Sequence, residues 1–392
     1  NGSTISIASG ASSGTATVTT RADDLYTQGS SVSTVSIGGT SGGGFESLTP
    51  SGTVSTTVVD DSDPTAITLS GTSGTLVEGN AIVYTATLGA TAASAMTVTL
   101  SNGSTISIAS GASSGTATVA TRTDDDYTQG SSVSTVSIGS MSGGGFESLT
   151  AAGTVSTTVV DDTDPTAITL SGTSGTLVEG NAIVYTATLG ATAASAMTVT
   201  LSNGSTISIA SGASSGTATV TTRADDLYTQ GSSVSTVSIG GTSGGGFESL
   251  TPSGTVSTTV VDDSDPTAIT LSGTSGTLVE GNDIVYTATL GATANSAMTV
   301  TLSNGSTISI ASGATSGTAT VATRGDDLYT QGNATLTTVS IGGTSGGGFE
   351  SLTPSGTVST TVVDDSDPTA ITLTGTSGTL VEGNDIVYTA TL

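Results

Sequence analysis

The polar chemistry open to this chain of 392 residues reduces to that of carboxylates: 31 Asp and Glu stand against four Arg, with no Lys, His or Cys, for a formal charge of −27. Of those 31 acids, 28 fall at seven positions that recur four times. A pair precedes a loop Tyr: Asp23 and Asp24, Asp124 and Asp125, Asp225 and Asp226, Asp326 and Asp327. One Glu follows a Phe: Glu46, Glu147, Glu248 and Glu350. Three Asp lead into a Pro: Asp60, Asp61 and Asp63; Asp161, Asp162 and Asp164; Asp262, Asp263 and Asp265; Asp364, Asp365 and Asp367. The last is the Glu of Val-Glu-Gly: Glu78, Glu179, Glu280 and Glu382. Only Asp126, Asp283 and Asp385 lie outside this scheme.

Six or seven carboxylates drawn together repel, each close pair by roughly 1–4 kcal/mol at effective dielectrics between those of water and a protein surface. The one Arg of each copy (Arg21, Arg122, Arg223, Arg324) cannot balance them. A hard cation with six to eight oxygen ligands can, and Ca²⁺ suits a flexible carboxylate site better than Mg²⁺, which keeps its waters. All 28 recurrent acids are therefore candidate calcium ligands, with room for more than one ion per cluster. The competing reading is solubility, in which acids on loops make the molecule repel its own kind. That pattern would spread charge over solvent-facing strand positions, which here carry Thr and Ser.

Other chemistries are excluded by what is missing. Without Cys or His there is no thiolate or imidazole metal site, and without Lys as well the usual bases and nucleophiles are gone. An enzyme is not expected; a carboxylate pair could hydrolyse glycosides, but near-identical copies at every junction argue against it. Nucleic acid and anionic membrane surfaces require clustered cations. No run of 18 apolar residues exists to insert into a bilayer, and the opening Asn-Gly-Ser-Thr is not a signal peptide, so any targeting signal is expected outside this segment.

The elements that would position the acids follow from the repeat. Asn-Gly-Ser-Thr-Ile-Ser-Ile starts at Asn1, Asn102, Asn203 and Asn304, a spacing of 101 residues. The fourth copy carries one extra residue within Gly332-Asn333-Ala334-Thr335-Leu336, taken as a loop insertion. The length suits a self-sufficient sandwich rather than a solenoid unit. Asp-Pro pairs mark stiff connections and divide the chain into 1–63, 64–164, 165–265, 266–367 and 368–392. The first piece is expected to supply the last four strands of a unit and the last piece the first two.

Within 165–265, short β-rich runs alternate with Gly/Ser/Asp turns: 167–170 continuing toward 178, then 183–189, 197–201, 206–209, 216–222, 233–239 and 254–261. Seven strands is the count of an immunoglobulin-like domain. The fold class is thus all-β: tandem immunoglobulin-like β-sandwiches of about 101 residues in an extended linear array. Asn-Gly reads as the hairpin turn between strands three and four. The core would hold Tyr84, Tyr185, Tyr286 and Tyr388 with Phe45, Phe146, Phe247 and Phe349. A second Tyr (Tyr26, Tyr127, Tyr228, Tyr329) occupies the place of a tyrosine corner or lies on a surface loop.

Strand parity then assigns the acids to poles. The Val-Glu-Gly turn, the Asp-Asp-x-Tyr loop and the Asp cluster follow odd strands and share one end, while the Glu after Phe lies at the other. One junction should gather Glu179, Asp225, Asp226, Asp262, Asp263 and Asp265, with Glu350 of the next unit nearby.

Leu-Val-Glu-Gly-Asn, Thr-Val-Thr-Leu-Ser-Asn-Gly, Asp-Asp-x-Tyr, Gly-Gly-Gly-Phe-Glu and Val-Val-Asp-Asp-x-Asp-Pro together resemble the immunoglobulin-like extender repeats of giant type I-secreted, RTX-type biofilm adhesins. The likeness spans the whole chain; a weaker one runs to Calx-beta and cadherin modules. It implies a calcium-rigidified stalk on the surface of a Gram-negative bacterium, holding a distal adhesive domain outside this segment away from the cell. Neighbouring repeats would be partners through shared calcium. The nonapeptide RTX motif is absent, so the secretion signal and the adhesive tip are expected elsewhere. An extracellular filament or surface-layer subunit, and a multivalent ligand-binding module, are the competing readings; aromatics at 3% speak against the last.

Overall fold

A computed structural model describes residues 1–392. The chain forms two compact units: 1–167 with 190–195 and 244–251, and 168–189 with 196–243 and 252–392. It is built of strands and turns without helix.

In the first unit, residues 1–63 contribute two strands, β1 (Ser31–Ser36) and β2 (Thr53–Val58), paired antiparallel. Nine strands follow: β3 (Pro64–Gly71), β4 (Gly74–Val77), β5 (Ala81–Leu88), β6 (Met96–Leu100), β7 (Thr105–Ile108), β8 (Ser114–Ala120), β9 (Ser132–Gly143), β10 (Ser148–Ala152) and β11 (Thr154–Val160). One sheet has the order β10-β3-β5-β8 and the other β4-β11-β9-β6-β7. β10–β3 and β4–β11 are parallel, and the remaining pairs are antiparallel.

Alternation along these strands builds the core between the sheets. Ile67 and Leu69 point inward from β3, Ile82, Tyr84, Ala86 and Leu88 from β5, and Met96, Val98 and Leu100 from β6. Ile106, Ile108, Val136 and Val155 close it. Each large apolar side chain withdrawn from water contributes about 1.5–3 kcal/mol. Between β6 and β7, Gly103 takes a φ of 85° and Ser104 N–H donates to Asn102 Oδ1 at 3.1 Å, so Asn-Gly is the hairpin turn that the sequence indicates.

The strand count is nine, not seven, for two physical reasons. The run read as one first strand breaks at Thr72-Ser73; Gly74, at φ 84°, redirects the chain into the other sheet, giving β3 and β4. Ser-Leu-Thr-Ala-Ala, which reads Ser-Leu-Thr-Pro-Ser in sister copies and falls outside the seven runs, forms the edge strand β10; an edge tolerates the proline.

The second unit contains the same design. In 266–367 one sheet orders Ser316–Val321, Ile284–Leu290, Pro266–Gly273 and Ser351–Ser355. Its core centres on Ile269, Tyr286, Met298, Val300 and Ile308. The extra residue is not a loop insertion. It falls in the counterpart of β9, which splits into Ala334–Thr335 and Val339–Gly346, while the counterpart of β11 splits into Thr357–Val358 and Thr360–Val363.

Residues 1–63 supply two strands, not four. The segments matching β7 and β8 have no counterpart of β6 or β5 there to pair with, and Ile5, Ile7 and Val18 are exposed. In 368–392, Thr372–Gly375 and Tyr388–Thr391 pair antiparallel. Phe45 and Tyr388 are exposed rather than core.

Candidate metal centre

Three loops at one pole of 64–164 are tied together through their backbones. Glu78, just after β4, donates its N–H to Val160 O at 3.0 Å, and Gly79 N–H donates to Arg122 O at 2.9 Å. Gly79 has a φ of 73°, and a Cβ there would stand 2.9 Å from Asp124 Cβ. Glycine is required twice over, for its conformation and for the space Asp124 occupies.

Arg122 organises the acids around this knot. Its Nε donates to Glu78 Oε2, Nη2 to Asp161 Oδ1 at 2.9 Å and Nη1 to Gly130 O at 2.6 Å. Asp161 Oδ2 accepts the Gln129 amide at 2.6 Å. Asp125 accepts Tyr127 N–H at 2.8 Å and the Gln129 side-chain amide. Asp125 and Asp161 thus brace the loop as well as carrying charge. The Glu78 side chain has no exposed surface, and its Oε1 has no partner.

The following repeat adds one acid. Glu248 Oε2 accepts the Asp164 N–H at 2.5 Å, while Glu248 Oε1 is solvent-inaccessible and unpartnered. What brings Glu248 there is a clasp of aromatic rings and main chain. Tyr127 stacks on Phe247 with centroids 5.4 Å apart, and its hydroxyl donates to Thr192 O at 2.7 Å. Thr128 N–H donates to Gly246 O at 2.9 Å, and Glu248 N–H to Asp126 O at 3.1 Å. Gly246, at φ 77°, belongs to the Gly-Gly-Gly run preceding Phe247.

The same clasp joins Tyr26 to Phe146 and Tyr228 to Phe349, with the Tyr hydroxyls on Thr91 O and Thr293 O. The loop Tyr is therefore neither a tyrosine corner nor a free surface ring. Sequence reading missed this role, although Tyr and Phe recur with fixed spacing beside the acids. Tyr329, with no Phe after Phe349 in this sequence, is 78% exposed.

Single oxygens of Glu78, Asp124 and Asp162 lie within 4.8 Å of one another, as do those of Glu78, Asp125 and Glu248, and of Asp162, Asp164 and Glu248. Asp23, Asp61 and Asp63 form such a group at the preceding junction, and Glu179, Asp262 and Glu350 at the following one. Mutual repulsion registers in their proton affinities. Asp162 above all, then burial and Asp164, hold the Asp124 carboxyl above its ordinary range, and Asp263 followed by Asp265 does the same to Asp225. Burial, Asp126 and the neighbouring acids raise Asp164.

The other expected residues are placed as follows. Asp60 pairs with Arg21 at 2.9 Å, Asp262 with Arg223 at 3.1 Å and Asp364 with Arg324 at 3.7 Å. Asp24, Asp226 and Asp327 repeat the bracing of Asp125. Glu147 and Glu350 accept the amides of Asp63 and Asp265. Glu280 pairs with Arg324, and burial, followed by Asp326 and Asp365, holds the Asp367 carboxyl above its ordinary range. Glu46 and Glu382 are exposed.

The donors present fit a hard divalent cation. All are oxygens, most carry charge, and buried oxygens at the centre lack the partners that folded proteins normally provide.

A LapA domain family model matches residues 1–62, 63–163, 164–264 and 265–366. No curated protein matches the chain. Among solved structures, the I9–I11 tandem of titin aligns with 9% identity over 76% of this chain and all of its own, at a TM-score of 0.16. Dimeric latent PorU from Porphyromonas gingivalis aligns with 10% identity over 77% of this chain and 34% of its own, at 0.18. Overlays of that quality carry no weight for fold or function.

Proposed function

The chain belongs to the LapA domain family, the repeats of large cell-surface adhesins, and on that premise we propose that it is a stretch of extender stalk whose seams are stiffened by calcium. The family points to a structural, extracellular role. The finer reading is of a bacterial, Gram-negative surface stalk, secreted by the type I route, that holds an adhesive domain outside this segment at a distance for attachment or biofilm formation. In it, 64–164, 165–265 and 266–367 are the repeating modules, flanked by parts of two more.

One observation carries the calcium reading: Glu248 of one repeat reaches the acids of the preceding one with one oxygen held by Asp164 N–H and the other unpartnered. Glu78, Asp124, Asp162, Asp164 and Glu248 would hold the ion, with Asp125 and Asp161 braced behind them. Calcium, when bound, supplies the positive charge that seven carboxylates and one Arg lack. Arg122 keeps Glu78 and Asp161 apart and aimed. The Tyr127–Phe247 clasp keeps Glu248 within reach of these acids. Binding free energy then adds to the folded state by linkage. Extracellular sites of this kind work near 10⁻⁴–10⁻³ M calcium.

Small-angle scattering and thermal unfolding of the 392-residue chain test this. Calcium should raise the melting temperature and lengthen the particle, and EDTA should reverse both. Superimposable scattering and melting curves with and without calcium would remove the mechanism.

A further inference from the structure

Asn-Gly-Ser recurs at Asn102, Asn203 and Asn304, and Asn-Ala-Thr stands once, at Asn333. Each is an Asn-x-Ser/Thr sequence, the acceptor pattern for attachment of sugar to a side-chain amide. The hairpin between β6 and β7 accounts for Asn102 and Gly103 but not for the Ser hydroxyl. Leu100 N–H donates to Ser104 O at 2.8 Å, Gly103 N–H to Leu100 O at 2.9 Å and Ser104 N–H to Asn102 Oδ1 at 3.1 Å. The turn thus uses Ser104 through its main chain alone.

Those bonds shape the amide as an acceptor. The bond into Asn102 Oδ1 polarises the carboxamide and makes its Nδ2 protons more acidic, while none of the turn's bonds uses Nδ2. Asn203 and Asn304 repeat the arrangement at 3.0 and 3.1 Å, and all three Asn are exposed. A Cβ on Gly103, Gly204 or Gly305 would meet nothing within 4 Å, so an enzyme has room to close on the tip. The competing reaction of an Asn-Gly pair, attack of the Gly nitrogen on the side-chain carbonyl, is opposed because Gly103 N–H is held by Leu100 O. Asn333 differs. Its sequence runs into a strand, where Ala334 pairs with Val362 and Thr335 Oγ1 lies 3.2 Å from Thr361 Oγ1.

We propose that Asn102, Asn203 and Asn304 are N-glycosylation sites and that Asn333 is not. The donor is a sugar activated as a phosphate ester. Asn102 Nδ2 forms a bond to the anomeric carbon as the bond from that carbon to the phosphate oxygen breaks. The phosphate leaves with the electron pair, and a base of the transferring enzyme takes the Nδ2 proton. Each repeat then carries a bulky, solubilising group on a turn that holds neither an acid nor an aromatic ring.

The test is mass spectrometry of the protein purified from the cells that make it and cleaved after arginine. Cuts after Arg21, Arg122, Arg223 and Arg324 place Asn102, Asn203, Asn304 and Asn333 on separate peptides. The first three should carry sugar in most molecules, and the Asn333 peptide should be unmodified. A single hexose identifies a nucleotide-sugar donor, and a fixed oligosaccharide block a lipid-linked one. Ser104→Ala should abolish addition at Asn102 alone and leave the melting temperature unchanged, because the bonds of the turn remain. Sugar-free peptides at all three sites, or only the mass change of deamidation, overturn the proposal. So does a Ser104→Ala chain still modified at Asn102. Equal occupancy at Asn333 overturns selection by the turn.

Discussion

Tyr127 lies on Phe247, 120 residues later in the chain, with ring centroids 5.4 Å apart and planes inclined by 28°. The Tyr hydroxyl donates to Thr192 O and the adjacent Thr128 N–H to Gly246 O, so rings and backbone close one contact. None of these bonds involves a carboxylate side chain. The seam therefore has two independent halves, an apolar clasp and an acidic cluster.

Breaking the clasp should loosen the joint even without cation. A stacked aromatic pair contributes about 0.5–1.5 kcal/mol beyond the area it buries. In EDTA, Phe247→Ala should raise amide exchange at Thr128 and Glu248 several-fold while leaving β5 and β6 protected. Unchanged exchange at those two amides would mean the rings do not hold the repeats together.

Arg122 is the orienting group of the acidic half, because it fixes Glu78 and Asp161 simultaneously. Arg122→Gln leaves the Glu78 charge buried with no counter-ion. Removing the partner of a buried charge is destabilising, so a lower urea midpoint is expected in EDTA. Adding Glu78→Gln to Arg122→Gln should recover much of that loss. A double variant no better than the single one would show that Glu78 is not the strained group.

Much of this was legible in the sequence. Glu78, Asp124 and Asp162 meet because each ends a strand at the same pole, and strand parity alone indicates that. Glu248 could be assigned to the opposite pole in the same way. The clasp was not legible: Tyr127 and Phe247 belong to different repeats, and alternation within a strand carries no information about a partner beyond the domain. Arg122 was readable as too little charge but not as the bracket that aims Glu78, since its hydrogen bonds run to loops 44 and 39 residues away. β10 lies outside the β-rich runs of the sequence: its short Ser-Leu-Thr-Ala-Ala segment pairs only as a parallel edge, a position that also accommodates the Pro of its sister copies.

Proton affinity gives a sign test of the acidic half. Like charges hold Asp124 and Asp225 above the ordinary carboxylate range, so the folded chain binds protons that the unfolded chain has released. Between the ordinary and the raised values the cation-free fold gains stability as pH falls, and loses it as pH rises through the raised values. With calcium present, protons compete for the same oxygens and acidification weakens binding. Lowering pH from neutrality toward the ordinary carboxylate range, about 4, should therefore raise the melting temperature in EDTA and lower it in excess calcium. Two curves moving in the same direction would contradict the assignment of these acids to cation binding.

Gly79 offers a way to disturb the cluster without touching a charge. Its φ of 73° already disfavours any side chain, and a Cβ would meet Asp124 Cβ at 2.9 Å; Gly180 and Gly281 stand in the same relation to Asp225 and Asp326, at 2.9 and 2.8 Å. Gly79→Ala should cost more than about 1 kcal/mol through backbone strain alone, and it should push Asp124 away from Glu78 and Asp162. Gly74→Ala is the control: it has a similar φ, 84°, but nothing within 4 Å of the added methyl. Both variants should lose stability in EDTA, but only Gly79→Ala should also lower the calcium-induced rise in melting temperature. Equal calcium responses would mean that Asp124 does not need its place beside Gly79, and the three-acid group of Glu78, Asp124 and Asp162 would no longer explain the binding.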